Sequence, residues 1–120
     1  MHTDQFNIEF VYRLATQDEW SQAQESGYVP KRPIDEKDGY IHLSTREQLL
    51  ETAEKHFLGV KCLLALEIPY AAISRKLKFE MAAKRGGMFP HLYAGLEMKD
   101  VARVIKLIPE GGNFKFGEEP

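Results

Sequence analysis

The chain has one cysteine, one tryptophan, no long hydrophobic run and almost no net charge, and each scarcity removes a class of protein. A single thiol, Cys62, excludes an internal disulfide and fits a reducing compartment, so a cytoplasmic location is expected. It falls inside the apolar run from Val60 to Ile68 and reads as a buried packing group rather than a nucleophile. Nothing approaches the ~20 consecutive apolar residues of a membrane helix, and the polar start, with Asp4 in it, does not read as a signal peptide. No membrane partner is therefore expected. A formal net charge of −2 argues against bulk nucleic-acid binding but leaves room for a nucleotide in a locally basic pocket. Also missing are a P-loop, a GxGxxG turn, a CxxC pair and a GxSxG elbow. His42, His91 and Glu80 would make a two-histidine-one-carboxylate set on paper, but at no recognised ligand spacing, so no metal is expected.

What is present suffices for one core: 120 residues, 43% of them hydrophobic. The single domain is expected over 8–109. The polar residues 1–7 and the glycine-bearing residues 110–120 are expected to be flexible ends, with Phe114 and Phe116 the groups there that have something to bury.

Glu9 to Leu14 alternates aromatic and polar residues and reads as a strand. Thr16 to Glu19 forms a capping box, opening a helix to about Ser26 with Gly27 as its left-handed stop and Trp20 and Ala23 inward. Residues 28–38, with Pro30, Pro33 and a dense charge cluster, read as a mobile surface loop. Tyr40 to Leu43 is a short strand. Ser44 to Glu47 reads as a second capping box, opening a helix through Leu49, Leu50, Ala53 and Phe57 that ends at Gly59. Cys62 to Ile68, Leu77 to Glu80, Leu92-Tyr93 and Val101 to Ile108 read as further strands. Two good helices among five or six strands, without regular alternation, point to the α+β class.

Two segments carry the candidate chemistry, and both bring a histidine into a strand after glycine: Gly39-Tyr40-Ile41-His42-Leu43-Ser44-Thr45 and Arg85-Gly86-Gly87-Met88-Phe89-Pro90-His91-Leu92-Tyr93. The glycine pair, Gly86 and Gly87, would let backbone pass close to a ligand. Alternation places His42 with Tyr40 and Ser44 on one face, running into a helix start whose amides favour anionic or hydroxyl-rich ligands. The bland alternatives are a half-buried His42 on a backbone carbonyl and a Ser44 that only caps. His91 is either a turn histidine or a donor and stacking partner, with Tyr93 on its face. Arg85 is either solvated or a phosphate fork. Glu80 is either a surface charge or a carboxylate that orients a ribose hydroxyl or stabilises a cationic transition state.

Together with Tyr12-Arg13-Leu14, Trp20 and His56-Phe57, these two segments resemble domain of unknown function 952, a mainly bacterial family, over about residues 8 to 109. The family is similar in fold to the ADP-ribosyltransferases and the RNA 2′-phosphotransferases, which use NAD. The resemblance implies a split α+β core with two main helices and a nicotinamide cleft. By it, NAD is the cofactor: His42 holds a ribose, Ser44 and Thr45 lie nearby, and His91 or Tyr93 flanks the nicotinamide. Glu80 or Arg85 acts at the reacting ribose or phosphate, which makes Glu80 and His91 the catalytic candidates. Two features depart from those enzymes: Phe79 stands before Glu80 where a tryptophan is usual, and the stretch from Met81 to Lys84 is long. Three functions follow as expectations: an NAD-using transferase with an unknown acceptor, a non-catalytic module for a nucleotide or ADP-ribose, or an interaction protein whose pocket is incidental.

Overall fold

A computed structural model describes residues 8–82 and 85–117. The first strand, β1 (Phe10–Thr16), pairs antiparallel with β3 (Leu63–Pro69), which pairs with β6 (Arg103–Glu110) and, through it, with β7 (Asn113–Phe116). The sheet order is β1-β3-β6-β7. A second, smaller antiparallel sheet has the order β2-β5-β4, with β2 (Ile41–His42), β5 (Gly87–Leu92) and β4 (Leu77–Ala82). The two sheets touch where Tyr12 and Ser44 exchange both backbone hydrogen bonds at 2.8 Å. The architecture is α+β.

Both faces of the larger sheet are covered, which explains why β3 is apolar throughout except for Glu67, whose carboxylate is held by the Tyr12 hydroxyl and by Arg103. On one side Val11, Ala15, Leu64, Leu66 and Ile68 pack against Ala23 of α1 (Gln17–Ser26) and against Ile41, Leu43 and Leu92 of the smaller sheet and its margin. On the other, Leu14, Leu63, Ala65, Ile105 and Leu107 pack against Leu49 and Ala53 of α3 (Arg46–His56) and against Phe114. Each fully buried Leu or Ile contributes about 1.5–3 kcal/mol over an exposed one. The small sheet therefore sits as a lid on the first core and turns its polar face, with His42 and His91, away from that core.

The first helix follows the sequence reading. The Thr16 hydroxyl accepts from the Glu19 amide, Glu19 reaches back to the Thr16 amide, and Gly27 ends the helix at φ 87°. The second capping box is displaced by one residue: Thr45, not Ser44, caps α3, with Gln48 returning the bond. Ser44 is held by its backbone against Tyr12, so it still belongs to the extended segment. Thr45-Arg46-Glu47-Gln48 satisfies the capping pattern equally well. The helix stops at His56, with Phe57 as its cap; Gly59 lies in the turn beyond.

Four further expectations are corrected. Residues 33–38 are not loop but a short helix, α2 (Pro33–Asp38), because Pro33 suits a first helical position and Asp35 accepts from the Arg32 amide at 2.7 Å. Cys62 is exposed, since β3 begins one residue later. The strand around His91 starts at Gly87 and ends at Leu92, leaving Tyr93 just outside it. Residues 113–116, expected at a flexible end, form β7; Gly111 and Gly112 adopt positive φ in the turn that folds it back onto β6, and Phe114 is buried. Residues 1–7 and 118–120 lie outside the described residues. A short helix, α4 (Tyr70–Ile73), leads from β3 toward β4.

Candidate functional site

At the junction of the two sheets, α2 and α3 flank a cleft of about 500 Å³, within the usual size for a small-molecule site. Its walls are apolar at Leu14, Leu43, Phe57 and Phe89. Its polar lining is basic: Arg13, Arg32, Arg85, His42, His56 and His91, with the hydroxyls of Ser44 and Thr52. No aspartate or glutamate lines it among the described residues.

Arg13 organises one end. It lies at the middle of β1, is 1% exposed, and projects on the side of Val11 and Ala15. An arginine there needs a carboxylate, because a buried unpaired charge is prohibitive. Asp35 of α2 supplies it, accepting from Nη2 at 2.6 Å and Nη1 at 3.2 Å. The Arg13 guanidinium also donates to the His42 carbonyl at 3.0 Å. Asp35 further accepts from the backbone amide of His42 at 3.1 Å and from its Nδ1 at 2.7 Å. Burial alone would raise the Asp35 carboxyl, but the hydrogen bonds from His42 and Arg13 win and hold it well below the usual carboxylate range. Arg32 is similarly engaged, in a two-pronged contact with Glu19 at 2.7 and 2.9 Å.

His42 is a ligand of this network. Its Nε2 lies 2.9 Å from Asp38, so both ring nitrogens face carboxylates. Its pKa is raised, chiefly by the Asp35 hydrogen bond and then by Asp38 against the opposing effect of burial. The two carboxylates favour the protonated ring and leave it no nitrogen to spare.

His91 differs. It is buried, its Nδ1 lies 2.8 Å from Glu80, and its ring stacks on Tyr40 at 3.9 Å between centroids. Glu80 Oε1 also accepts from the Tyr93 hydroxyl at 2.7 Å. The bonds from Tyr93 and His91 lower the Glu80 pKa, while the same carboxylate pushes the Tyr93 phenol up to about 12. With Nδ1 on Glu80, Nε2 is the nitrogen His91 keeps for a ligand or a proton.

The sequence candidates are thus distributed unevenly. His42, His91, Ser44 and Arg85 line the cleft together. Glu80 and Tyr93 stand behind His91 and do not line it, and Thr45 is spent on capping α3. Gly86 and Gly87 lie outside the lining. Gly86 is required by its left-handed turn (φ 72°) with open space around it, not by a close approach of other protein atoms. His42, His91 and Glu80 do not converge as metal ligands, and no group of three His, Cys, Asp or Glu among the described residues is placed to hold a metal.

Arg32, Asp35 and Thr52 enter the site unannounced by the sequence reading, and Arg13 and His56 enter with no chemical role foreseen. One signal was available: an arginine flanked by Tyr12 and Leu14 inside a buried strand demands a carboxylate, and the charge cluster at 35–38 holds the candidates.

No curated protein matches the chain. Among solved structures, the X-ray crystal structure of protein CC0527 from Caulobacter crescentus is 34% identical with a TM-score of 0.80, the match covering 88% of this chain and 93% of that one. The solution NMR structure of CC0527 gives 33% identity and a TM-score of 0.76 over 88% and 90% of the two chains. The family model described as "Protein of unknown function (DUF952)" matches residues 14–104, a span that holds every lining residue of the cleft except Arg13, and the chain belongs to this family.

Proposed function

We propose that the cleft binds a nucleotide, with NAD the first candidate, and that its chemistry is ADP-ribosyl transfer. The observation that carries the reading is one cleft of about 500 Å³ that combines basic side chains with apolar and aromatic walls and a histidine with one nitrogen to spare. Phosphates suit the guanidinium groups, and flat rings suit Phe57 and Phe89. The two-sheet core, with its cleft at the junction, supports the ADP-ribosyltransferase-like fold that the family resemblance implies.

In this reading the bond between C1′ of the ribose and the nicotinamide nitrogen breaks, nicotinamide leaves neutral, and the acceptor oxygen or nitrogen bonds to C1′. The acceptor proton goes to His91 Nε2. Glu80 and Tyr93 are positioning residues that fix the His91 ring and its tautomer. Approximation of the reactants supplies most of the rate, as the reaction needs little covalent help.

A second reading, a binding module without catalysis, is favoured by one observation: among the described residues no carboxylate lines the cleft to stabilise a cationic sugar. Thermal unfolding with NAD and with ADP-ribose, for wild type and His91→Asn, tests both readings. A ligand at a hundred times its Kd stabilises by about 2.7 kcal/mol. Stabilisation with release of nicotinamide, seen by mass spectrometry and lost in His91→Asn, is the transferase outcome. Stabilisation without product is the binding outcome. Stabilisation by neither nucleotide rejects both and leaves an interaction protein with an incidental pocket.

A further inference from the structure

Charge pairing divides the basic side chains of the cleft unequally. Arg13 is matched by Asp35, Arg32 by Glu19, His42 by Asp35 and Asp38, and His91 by Glu80. Arg85 has no carboxylate partner among the described residues. Its Nη2 donates to the Thr52 hydroxyl at 2.9 Å, its guanidinium lies 4.5 Å over the Phe89 ring, and its Nε is buried with nothing to bond.

Thr52 holds this guanidinium without neutralising it. The single hydroxyl proton of Thr52 goes to the Gln48 carbonyl at 3.1 Å, and its oxygen accepts from Arg85 and, at 3.4 Å, from Ser44. The group is positioned, half out of water, and electrostatically unanswered. Arg13 also has an unpartnered Nε, but its charge is answered and the residue is sealed at 1% exposure. His56 lines the same cleft, and its pKa is lowered by burial first and then by the nearby Arg85 charge.

We infer that Arg85 is the residue that selects the ligand, and that the ligand class is a phosphate ester or diphosphate docking its anionic group on Arg85 beside Thr52 and Phe89. Arg13 and Arg32 shape the cleft but are not the anion receptors. The nucleotide reading supplies only the rest of the ligand, so the phosphate end stands or falls by itself.

The test is a calorimetric titration of the full chain with inorganic pyrophosphate, with acetate as the carboxylate control, for wild type, Arg85→Gln and Arg85→Lys. Wild type is expected to bind pyrophosphate, more weakly as salt rises. Arg85→Gln is expected to lose about tenfold or more in affinity, as for a hydrogen bond to a charged group. Arg85→Lys keeps the charge without the planar fork and is expected between the two. An unchanged unfolding midpoint without ligand shows that the variants are folded; if Arg85→Gln does not fold, Arg85→Lys carries the comparison. Pyrophosphate affinity unchanged by the substitutions, no binding at millimolar pyrophosphate, or equal binding of acetate would each overturn the assignment. Arg85-dependent pyrophosphate binding in a protein that takes neither NAD nor ADP-ribose keeps this inference and removes the nucleotide reading. Nucleotide binding that persists undiminished in Arg85→Gln does the reverse.

Discussion

His42 and His91 are direct partners in the β2–β5 register, their rings 5.8 Å apart, and yet they are different chemical objects. His42 is gripped on both nitrogens by carboxylates of α2 and serves the packing of that helix against the sheet. His91 is gripped on one nitrogen and stacked on Tyr40, which leaves the other nitrogen without a carboxylate among the described residues. The same residue type in paired positions is held on both nitrogens in one case, which favours its charged form, and on one nitrogen in the other. What decides is the number of acceptors each ring meets, and local sequence does not record that number. Asp35 is seven residues before His42, whereas Glu80 is eleven before His91 and reaches it from the next strand.

The contrast can be broken most severely at Asp35. Asp35→Asn strands Arg13 and removes the acceptor that charges His42. Opening a buried pair from one side costs about 3–5 kcal/mol, a large part of the 5–15 kcal/mol typical of a domain. Urea unfolding should show that loss. A change below about 1 kcal/mol would mean that the cleft end at Arg13 is not the stabilising half.

A smaller effect sharpens the contrast through pH. The folded-state pKa of His42 is raised, so its contribution to stability is complete below the ordinary histidine value of about 6.5 and is lost as pH rises through the raised value. Asp35 is depressed, so its contribution is complete above about 3.9 and is lost as pH falls further. Wild-type stability should therefore decline from near-neutral toward alkaline pH, and His42→Gln should flatten that limb while leaving the acid limb in place. Parallel wild-type and variant curves on the alkaline side would return His42 to an ordinary, uncharged role.

The smallest effect lies behind His91. Glu80→Gln removes the charge that pushes the Tyr93 phenol to about 12, so one tyrosine should titrate nearer the ordinary value of about 10 in an ultraviolet difference titration. Glu80 and Tyr93 are on the open side of the sheet, so global stability should hardly move. An unaltered tyrosine titration would disconnect Glu80 from Tyr93 and weaken the case that it orients His91.

Much of the scaffold was legible because its signals are short in range. The capping box at Thr16 and Glu19, the stop at Gly27 and the apolar run of β3 are each written within a few residues. The outward face shared by His42 and Tyr40 followed from strand alternation. The one-residue shift from Ser44 to Thr45 was undecidable locally, since two overlapping boxes read equally well and only the Tyr12 backbone chooses between them. The helix at 33–38 was hidden because its stabilising contact, Arg13 with Asp35, spans 22 residues. β7 was hidden for a related reason: Gly111 and Gly112 look like a fraying end until β6 is there to pair with. At the site, residue types were legible and their pairings were not, so Glu80 was expected in the cleft and stands behind it.

Cys62 is the only thiol of the chain, is exposed, and is not among the residues that line the cleft. The molecule therefore carries a ready-made attachment point for a single maleimide dye, with no need to delete competing cysteines. Trp20, also unique, packs from α1 onto the core beneath the small sheet and offers an internal optical partner. A label at Cys62 and the indole at Trp20 give a two-point gauge of the unmutated protein, one on the first helix and one at the entry to the central strand.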